Sequence, residues 1–300
     1  MRPAVGLLYN PSTPALLAHA PGLVEHLSAM PDRMWFDFGD EPVGQRFRHA
    51  HGAIAELAGH ARGRSLAGHG LGLSLPSAMP LDGAMLGAVV QVAEGVGGFE
   101  WYSEHLSVFV TPGGAAVPNA QAGLGLPVVY GDESFALLAP KLRRLKDALG
   151  CRVLLENPAQ FSPLTDLDCS EPEFLNRLYR AGLSGTLLDL HNLYVCQRNG
   201  VTDPLAYLEA LDPDSVEEVH LAGGDEFGGF YMDSHATVTP QPVWELAREF
   251  LPRCRRLRAI TLEYQESYFE QIGLAALARE LELMHELAEH CASTAPAPSC

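Results

Sequence analysis

Six residues of metal-binding type stand at the ends of successive short apolar runs: His69, His105, Glu156, Asp189, His220 and Glu263. Two more, Asp233 and His235, follow in Asp233-Ser234-His235. Together they are four imidazoles and four carboxylates. Mixed nitrogen and oxygen donors suit iron, zinc or manganese better than magnesium or calcium, which prefer oxygen alone. The set exceeds what one ion needs, and carboxylates shared between about two or three ions are the natural use of the surplus. Taken singly, each residue is more simply a hydrogen-bonded strand end or a turn cap. Taken together they resist that account, because a buried carboxylate is costly unless paired or metal-bound. Asp189 and Asn192 are three apart and share a face if the chain turns helical there. His191 then points elsewhere, as a supporting residue or a further ligand. Asn157 and Asn192 read more simply as loop-fixing residues that bond backbone.

The elements that must position these residues alternate. The expected strands are Ala4–Leu8, Met34–Phe38, Ser65–His69, Phe99–His105, Arg152–Glu156, Gly185–Asp189, Ser215–Leu221 and Ala259–Glu263. Their apolar runs are continuous, as in strands buried on both faces of a parallel sheet. Between them, apolar residues at helical spacing predict helices over Gln45–Arg62, Asp82–Gly95, Asp132–Leu149, Glu171–Ala181, Pro204–Leu211, Pro242–Leu251 and Ser267–His290. Eight strands alternating with helices predict a single (β/α)8 TIM barrel over residues 1–292, with a disordered tail over 293–300. The strand ends then meet at the C-terminal mouth, where barrels of this kind hold their chemistry. Two stretches, Val110–Gly131 and Ala222–Pro240, read as long functional loops. The glycines of Gly68-His69-Gly70-Leu71-Gly72 are expected to let backbone crowd the metal site. Phe99, Trp101 and Tyr102 read as strand core.

Composition excludes several partners. The net charge of −17 repels phosphate backbones and argues against nucleic acid. No apolar stretch reaches membrane-spanning length. Met1–Asn10 lacks the design of a signal peptide, and the six cysteines form no CxxC pair. Free thiols and a cytoplasmic location are expected.

The motifs in order resemble a known family, the multinuclear non-heme iron-dependent oxidative enzymes, which include methanobactin-biosynthesis-type peptide-modifying enzymes. They are His69-Gly70-Leu71-Gly72-Leu73-Ser74-Leu75, Ser103-Glu104-His105-Leu106, Leu154-Leu155-Glu156-Asn157-Pro158, Leu187 to Val195, Val219-His220-Leu221-Ala222-Gly223, Asp233-Ser234-His235 and Leu262-Glu263-Tyr264. The resemblance covers almost the whole chain. It implies a barrel using about two or three iron ions and oxygen. The substrate would be a residue, cysteine among them, of a ribosomally made precursor peptide, often presented by a small partner protein. It implies His69, His105, Glu156, Asp189, His220, Asp233, His235 and Glu263 as metal ligands, with Asn192 as a further one. The chain departs from the pattern at three places. Gly224 stands where the family often has His, and His191 where it often has Asn. Trp35-Phe36-Asp37-Phe38-Gly39 replaces an acidic residue and Asn at the end of the second strand.

Two other classes of function remain open at this level. The ligand order also looks like endonuclease IV, a zinc barrel that cuts DNA, and more distantly like sugar isomerases, with zinc or manganese as the metal. The acidic charge and Asn192, where that nuclease has His, speak against it. The other class is a non-catalytic metal-binding scaffold.

Overall fold

The computed structural model describes residues 2–39, 46–112, 119–165 and 167–294. Eight parallel strands close into a barrel: β1 Ala4–Tyr9, β2 His26–Ala29, β3 Ser65–Gly70, β4 Trp101–His105, β5 Arg152–Glu156, β6 Gly185–Asp189, β7 Val216–Leu221 and β8 Ala259–Leu262. Each strand pairs with its sequence neighbours, and β8 returns to β1. A helix follows each strand, completing the (β/α)8 pattern. None of the described helices is long and apolar enough to cross a membrane.

Seven of the expected strands appear in the barrel, and one does not. The sequence pattern puts Met34–Phe38 second, but that place belongs to His26–Ala29. This segment hides in the sequence because His26 and Ser28, both polar, are fully buried. Trp35–Asp37 instead pairs antiparallel with Phe47–His49 in a separate hairpin, and Phe36 is exposed there. The helix expected from Gln45 therefore starts only at His51, and Gln45 itself lies outside the described residues. Each long loop contains a further hairpin: Val108–Pro112 with Asn119–Leu126, and Asp225–Phe227 with Phe230–Met232. The last helix is broken at Gly273, whose φ of 84° is left-handed, and resumes from Leu274 to Thr294. Residues 295–300 of the expected tail lie outside the described residues.

Alternation of side chains along the strands builds two environments. One face of each strand packs on the helices, forming a continuous apolar shell that includes Leu7, Leu27, Tyr102, Leu155, Leu188, Val219 and Ile260. The other face lines the barrel. A small apolar group of Ala67, Trp101, Leu154, Leu187 and Ala259 fills its lower part. Polar residues occupy the layers above it, where Ser103, His69 and His220 are buried. The glycines around His69 act differently from expectation. A Cβ on Gly70 would lie 1.8 Å from the Tyr102 hydroxyl, and one on Gly68 would lie 2.7 Å from the Tyr102 ring. They make room for aromatic packing behind the strand rather than for the site in front of it. Phe99, Trp101 and Tyr102 are buried, as expected of core. Five described cysteines are free thiols, and Cys300 lies outside the described residues.

Outside the barrel, one buried acid anchors the segment that follows β5. Glu171 opens the helix Glu171–Arg180 and accepts hydrogen bonds from Tyr130, from Tyr207 at 2.7 Å and from Gln160 at 2.9 Å. Burial raises its carboxyl above the usual value of 4.5 despite these bonds. A carboxyl with a raised folded-state pKa stabilises the fold most below its unfolded value and loses that contribution as pH rises through the folded value. The stability of the native protein relative to Glu171→Gln should therefore decline as pH increases from about 4.5, the unfolded reference. Denaturant midpoints of both proteins across the acid-to-neutral range test this, and a difference independent of pH would contradict it.

Candidate metal centre

Parallel register brings the strand-end residues side by side. His105 is the partner of Glu156, and Asp189 is the partner of His220. Their side chains, with His69 and Glu263, form three overlapping groups: His69, His105 and Glu156; His69, His220 and Glu263; Glu156, Asp189 and His220. Within each group the donor atoms lie within 4.8 Å of one another. A fourth group joins His191, Asp233 and His235. It is linked to the others because His235 Nε2 lies 2.8 Å from Asp233 Oδ1 and 3.4 Å from Glu263 Oε2.

Two carboxylates span neighbouring groups. Glu156 turns Oε2 to His105 at 3.1 Å and His69 at 3.5 Å, and Oε1 towards His220 at 3.9 Å. Glu263 turns Oε1 to His220 at 2.9 Å and Oε2 to His235. Each carboxylate thus faces histidines of two groups at once.

The neighbours of these residues aim their donor atoms inward. Ser103 donates to the Gly68 carbonyl at 3.2 Å, so it accepts from His69 Nδ1 at 2.9 Å. The Nε2 lone pair of His69 is left facing the centre, 3.1 Å from His105 Nε2. Asp189 caps the helix Leu190–Arg198, accepting from the Asn192 amide at 2.6 Å through Oδ1. Its Oδ2 is free to face the site. Asn157 bonds both backbone groups of Asp189, each at 2.8 Å, as a supporting residue should. Asn192 lies on the helical turn that the three-residue spacing suggested, with Nδ2 3.4 Å from Glu156 Oε1. His235 has a left-handed φ of 52°, an uncommon conformation for a side-chain-bearing residue that recurs at functional sites.

The fit to metal ions is tested by unsatisfied atoms. Glu156 Oε2, Asp189 Oδ2, His191 Nε2, Asn192 Oδ1, His220 Nδ1, His235 Nε2 and Glu263 Oε1 are all buried without a hydrogen bond. Several approach one another closely, but without the alignment a hydrogen bond needs. Buried polar atoms are almost always paired, so a convergent set of orphans marks a place for a cation. The proton affinities agree. Burial, with His105 and His220 nearby, lowers His69 to about 3, and burial lowers His105 to about 4. Both are neutral donors near pH 7. Burial pushes Glu156 well above the carboxylate range and Asp189 up to about 6. Against its own burial, His220 is held well above the usual imidazole range by Glu263 and Glu218. Neighbouring acids add to the rise for Glu156 and Asp189, whereas the histidines beside Asp233 and Glu263 hold those two carboxyls low.

The structure thus gathers all nine residues expected as ligands. It also draws in His191, which the spacing had directed away. His191 is fully buried, and its Nδ1 lies 3.0 Å from Asp233 Oδ1. A Cβ on Gly224 would lie 2.1 Å from the Met232 carbonyl and 3.1 Å from His191 Nε2. Backbone closes the position where the resembled pattern carries a second histidine, and His191 lies against it. Asp37 is not brought in; it pairs with Arg46 on its exposed hairpin. Sequence reasoning missed Glu218, fully buried beneath His220. The period-2 rule could have found it, since it sits two residues earlier on the same strand face.

Fold and site together define a (β/α)8 TIM barrel with a histidine–carboxylate chamber at its mouth. Solved structures agree on the fold. A xylose isomerase domain containing protein from Salmonella typhimurium LT2 aligns with TM-score 0.60 and 12% identity, over 96% of this chain and 98% of that one. Endonuclease IV from Thermus thermophilus aligns with TM-score 0.53 and 19% identity, over 96% and 99%. Residues 18–289 match the family model of RiPP precursor modification enzymes MbnB/TglH/ChrH, and the chain belongs to that family. Among its relatives is a UPF0276 protein of Anaeromyxobacter sp. strain Fw109-5, 30% identical and covering 83% of this chain and 86% of the relative. Another, from Chromobacterium violaceum, is 33% identical over 78% and 81%.

Asn157 holds Asp189 by two hydrogen bonds, one donated and one accepted. Asn157→Ala should destabilise the protein by about 1–3 kcal/mol, the cost of leaving buried backbone groups unpaired. Chemical denaturation measures this, and a loss within error of zero would rule it out.

Proposed function

We propose that this protein is a multinuclear iron enzyme that oxidatively modifies a residue, cysteine in the first instance, of a ribosomally made precursor peptide. The carrying observation is the pair of carboxylates, Glu156 and Glu263, each shared between two groups of converging histidines. The family description supports a peptide substrate.

The proposed ligands are His69, His105, Glu156, Asp189, Asn192, His220, Asp233, His235 and Glu263, and His191 joins them because its Nε2 is orphaned. Bound iron would supply one-electron redox chemistry and Lewis acidity. The protein's own groups do the rest. Neutral His69 and His105 donate lone pairs without a proton having to leave at neutral pH. Asp189 and Asn157 fix the end of β6. Most of the chamber is sealed, but the side chains of His105, Asp233 and His235 retain exposures of 21%, 25% and 14%, so substrate enters on their side. The hairpin just before Asp233 exposes Phe227 and Phe230, an apolar surface suited to a peptide chain. A small partner protein presenting the peptide and a cytoplasmic setting complete the reading. The acidic surface favours a basic peptide or partner and disfavours nucleic acid.

Protein prepared without oxygen and supplied with ferrous iron should retain about two or three iron ions per chain and consume oxygen with a cysteine-containing precursor peptide. Failure both to retain iron and to consume oxygen would overturn the reading. Zinc retention with cleavage of abasic DNA would replace it by the hydrolase alternative. His191→Asn should weaken metal binding about 10–100-fold, as loss of a ligand or its support does. Unchanged metal affinity in that variant would return His191 to a structural role.

A further inference from the structure

Glu218 lies two residues before His220 on β7, and both side chains are fully buried. Its carboxylate accepts hydrogen bonds at both oxygens. Trp101 Nε1–H donates to Oε2 at 2.6 Å, and the Thr261 hydroxyl donates to Oε1 at 2.7 Å. His220 Nε2 lies 3.3 Å from Oε1. His26 closes the remaining side, with Nε2 3.5 Å from Oε1 and its ring stacked on Trp101 at 5.0 Å. A carboxylate accepts through both oxygens and donates nothing. His220 therefore keeps its Nε2 proton on the Glu218 side. Its Nδ1 is left 2.9 Å from Glu263 and 3.9 Å from Glu156, among the orphaned donor atoms.

We propose that Glu218 is a positioning residue that presents His220 to the metal chamber through Nδ1, with Trp101 and Thr261 holding the carboxylate in place. This rests on the metal-centre reading above. Metal-ligating histidines commonly give their other N–H to such a partner, which fixes the ring and its tautomer. Here the partner is itself fixed, so the orientation of one ligand is set from the barrel interior beneath it.

The count of donors gives a sharp test. Glutamine has the same shape but only one acceptor oxygen, and its NH2 group can only donate. In Glu218→Gln, the amide must turn its NH2 either to the Trp101 N–H or to His220. The first choice opposes two donors. The second forces the His220 proton onto Nδ1 and blocks the atom that faces the chamber. Removing the Trp101 donor resolves the conflict, because the NH2 can then turn towards position 101 and the oxygen towards His220.

Cobalt(II) titration of the full-length apoprotein, read by visible absorption and by competition with a chelator, distinguishes the outcomes. Glu218→Gln should bind cobalt about 10–100-fold more weakly than wild type. The double variant Trp101→Phe with Glu218→Gln should recover most of that loss when compared with Trp101→Phe alone. A Glu218→Gln protein that binds like wild type, or a double variant no tighter than Glu218→Gln, overturns the proposal. Wild type that takes up no cobalt overturns the metal-centre reading itself, which keeps the two failures apart. Nitrogen-edited NMR of zinc-loaded wild type needs no variant to fold. It should show His220 protonated at Nε2 and bare at Nδ1, and the reverse pattern overturns the proposal.

Discussion

Glu156, Asp189, Asp233 and Glu263 are gathered at the end of a barrel whose walls exclude water from most of them. Like charges so placed repel, and most have lost the solvation that would offset the cost. Much of the surrounding structure answers this constraint. Histidines stand between the acids, a helix N-terminus receives one oxygen of Asp189, and Trp101 and Thr261 supply donors to Glu218 in the layer below. The remaining charge is what bound cations would offset at these candidate metal-binding groups. The barrel carries this load because a closed parallel sheet fixes which strand ends become neighbours, and one residue of slip would turn each of them away from the chamber.

The strand ends were legible because two rules coincide there. Buried parallel strands leave continuous apolar runs, and the residue closing each run conspicuously breaks that pattern, as Glu156 does after Val153-Leu154-Leu155. Where the runs are interrupted, the reading failed. β2 carries His26 and Ser28 inward and so looks like loop, while Trp35–Asp37 is apolar enough to pass for a strand of the barrel. Glu218 escaped notice because attention to strand ends passes over the layer beneath them. The hairpins within the long segments after β4 and β7 were hidden by glycines, which mark turns without revealing what they join.

His191 shows why spacing alone misdirects at a helix start. Asp189 and Asn192 do share a side, as a helical turn requires, and on that ground His191 should point away. It does leave the Glu156 group, but the hairpin after β7 folds Asp233 and His235 over to meet it. That tertiary arrangement has no local signature. The closed backbone at Gly224 belongs to the same adjustment: a side chain there would collide with the Met232 carbonyl, and the imidazole of a different element stands nearby. Family membership is unaffected by the change, since residues 18–289 as a whole match the family.

The two-faced setting of Glu156 has a consequence for how the chamber fills. An ion seated against His69 and His105 would draw on one oxygen of this carboxylate and fix the other beside His220 and Asp189. The first ion would thereby prepare the second position, lowering the reorganisation left for the next arrival. Glu263 extends the same linkage from His220 to His235. Loading would then be cooperative, and partly filled chambers would be scarce relative to empty and full ones. Ions near His105 and His235, where the wall is thinnest, would exchange sooner than those deeper in.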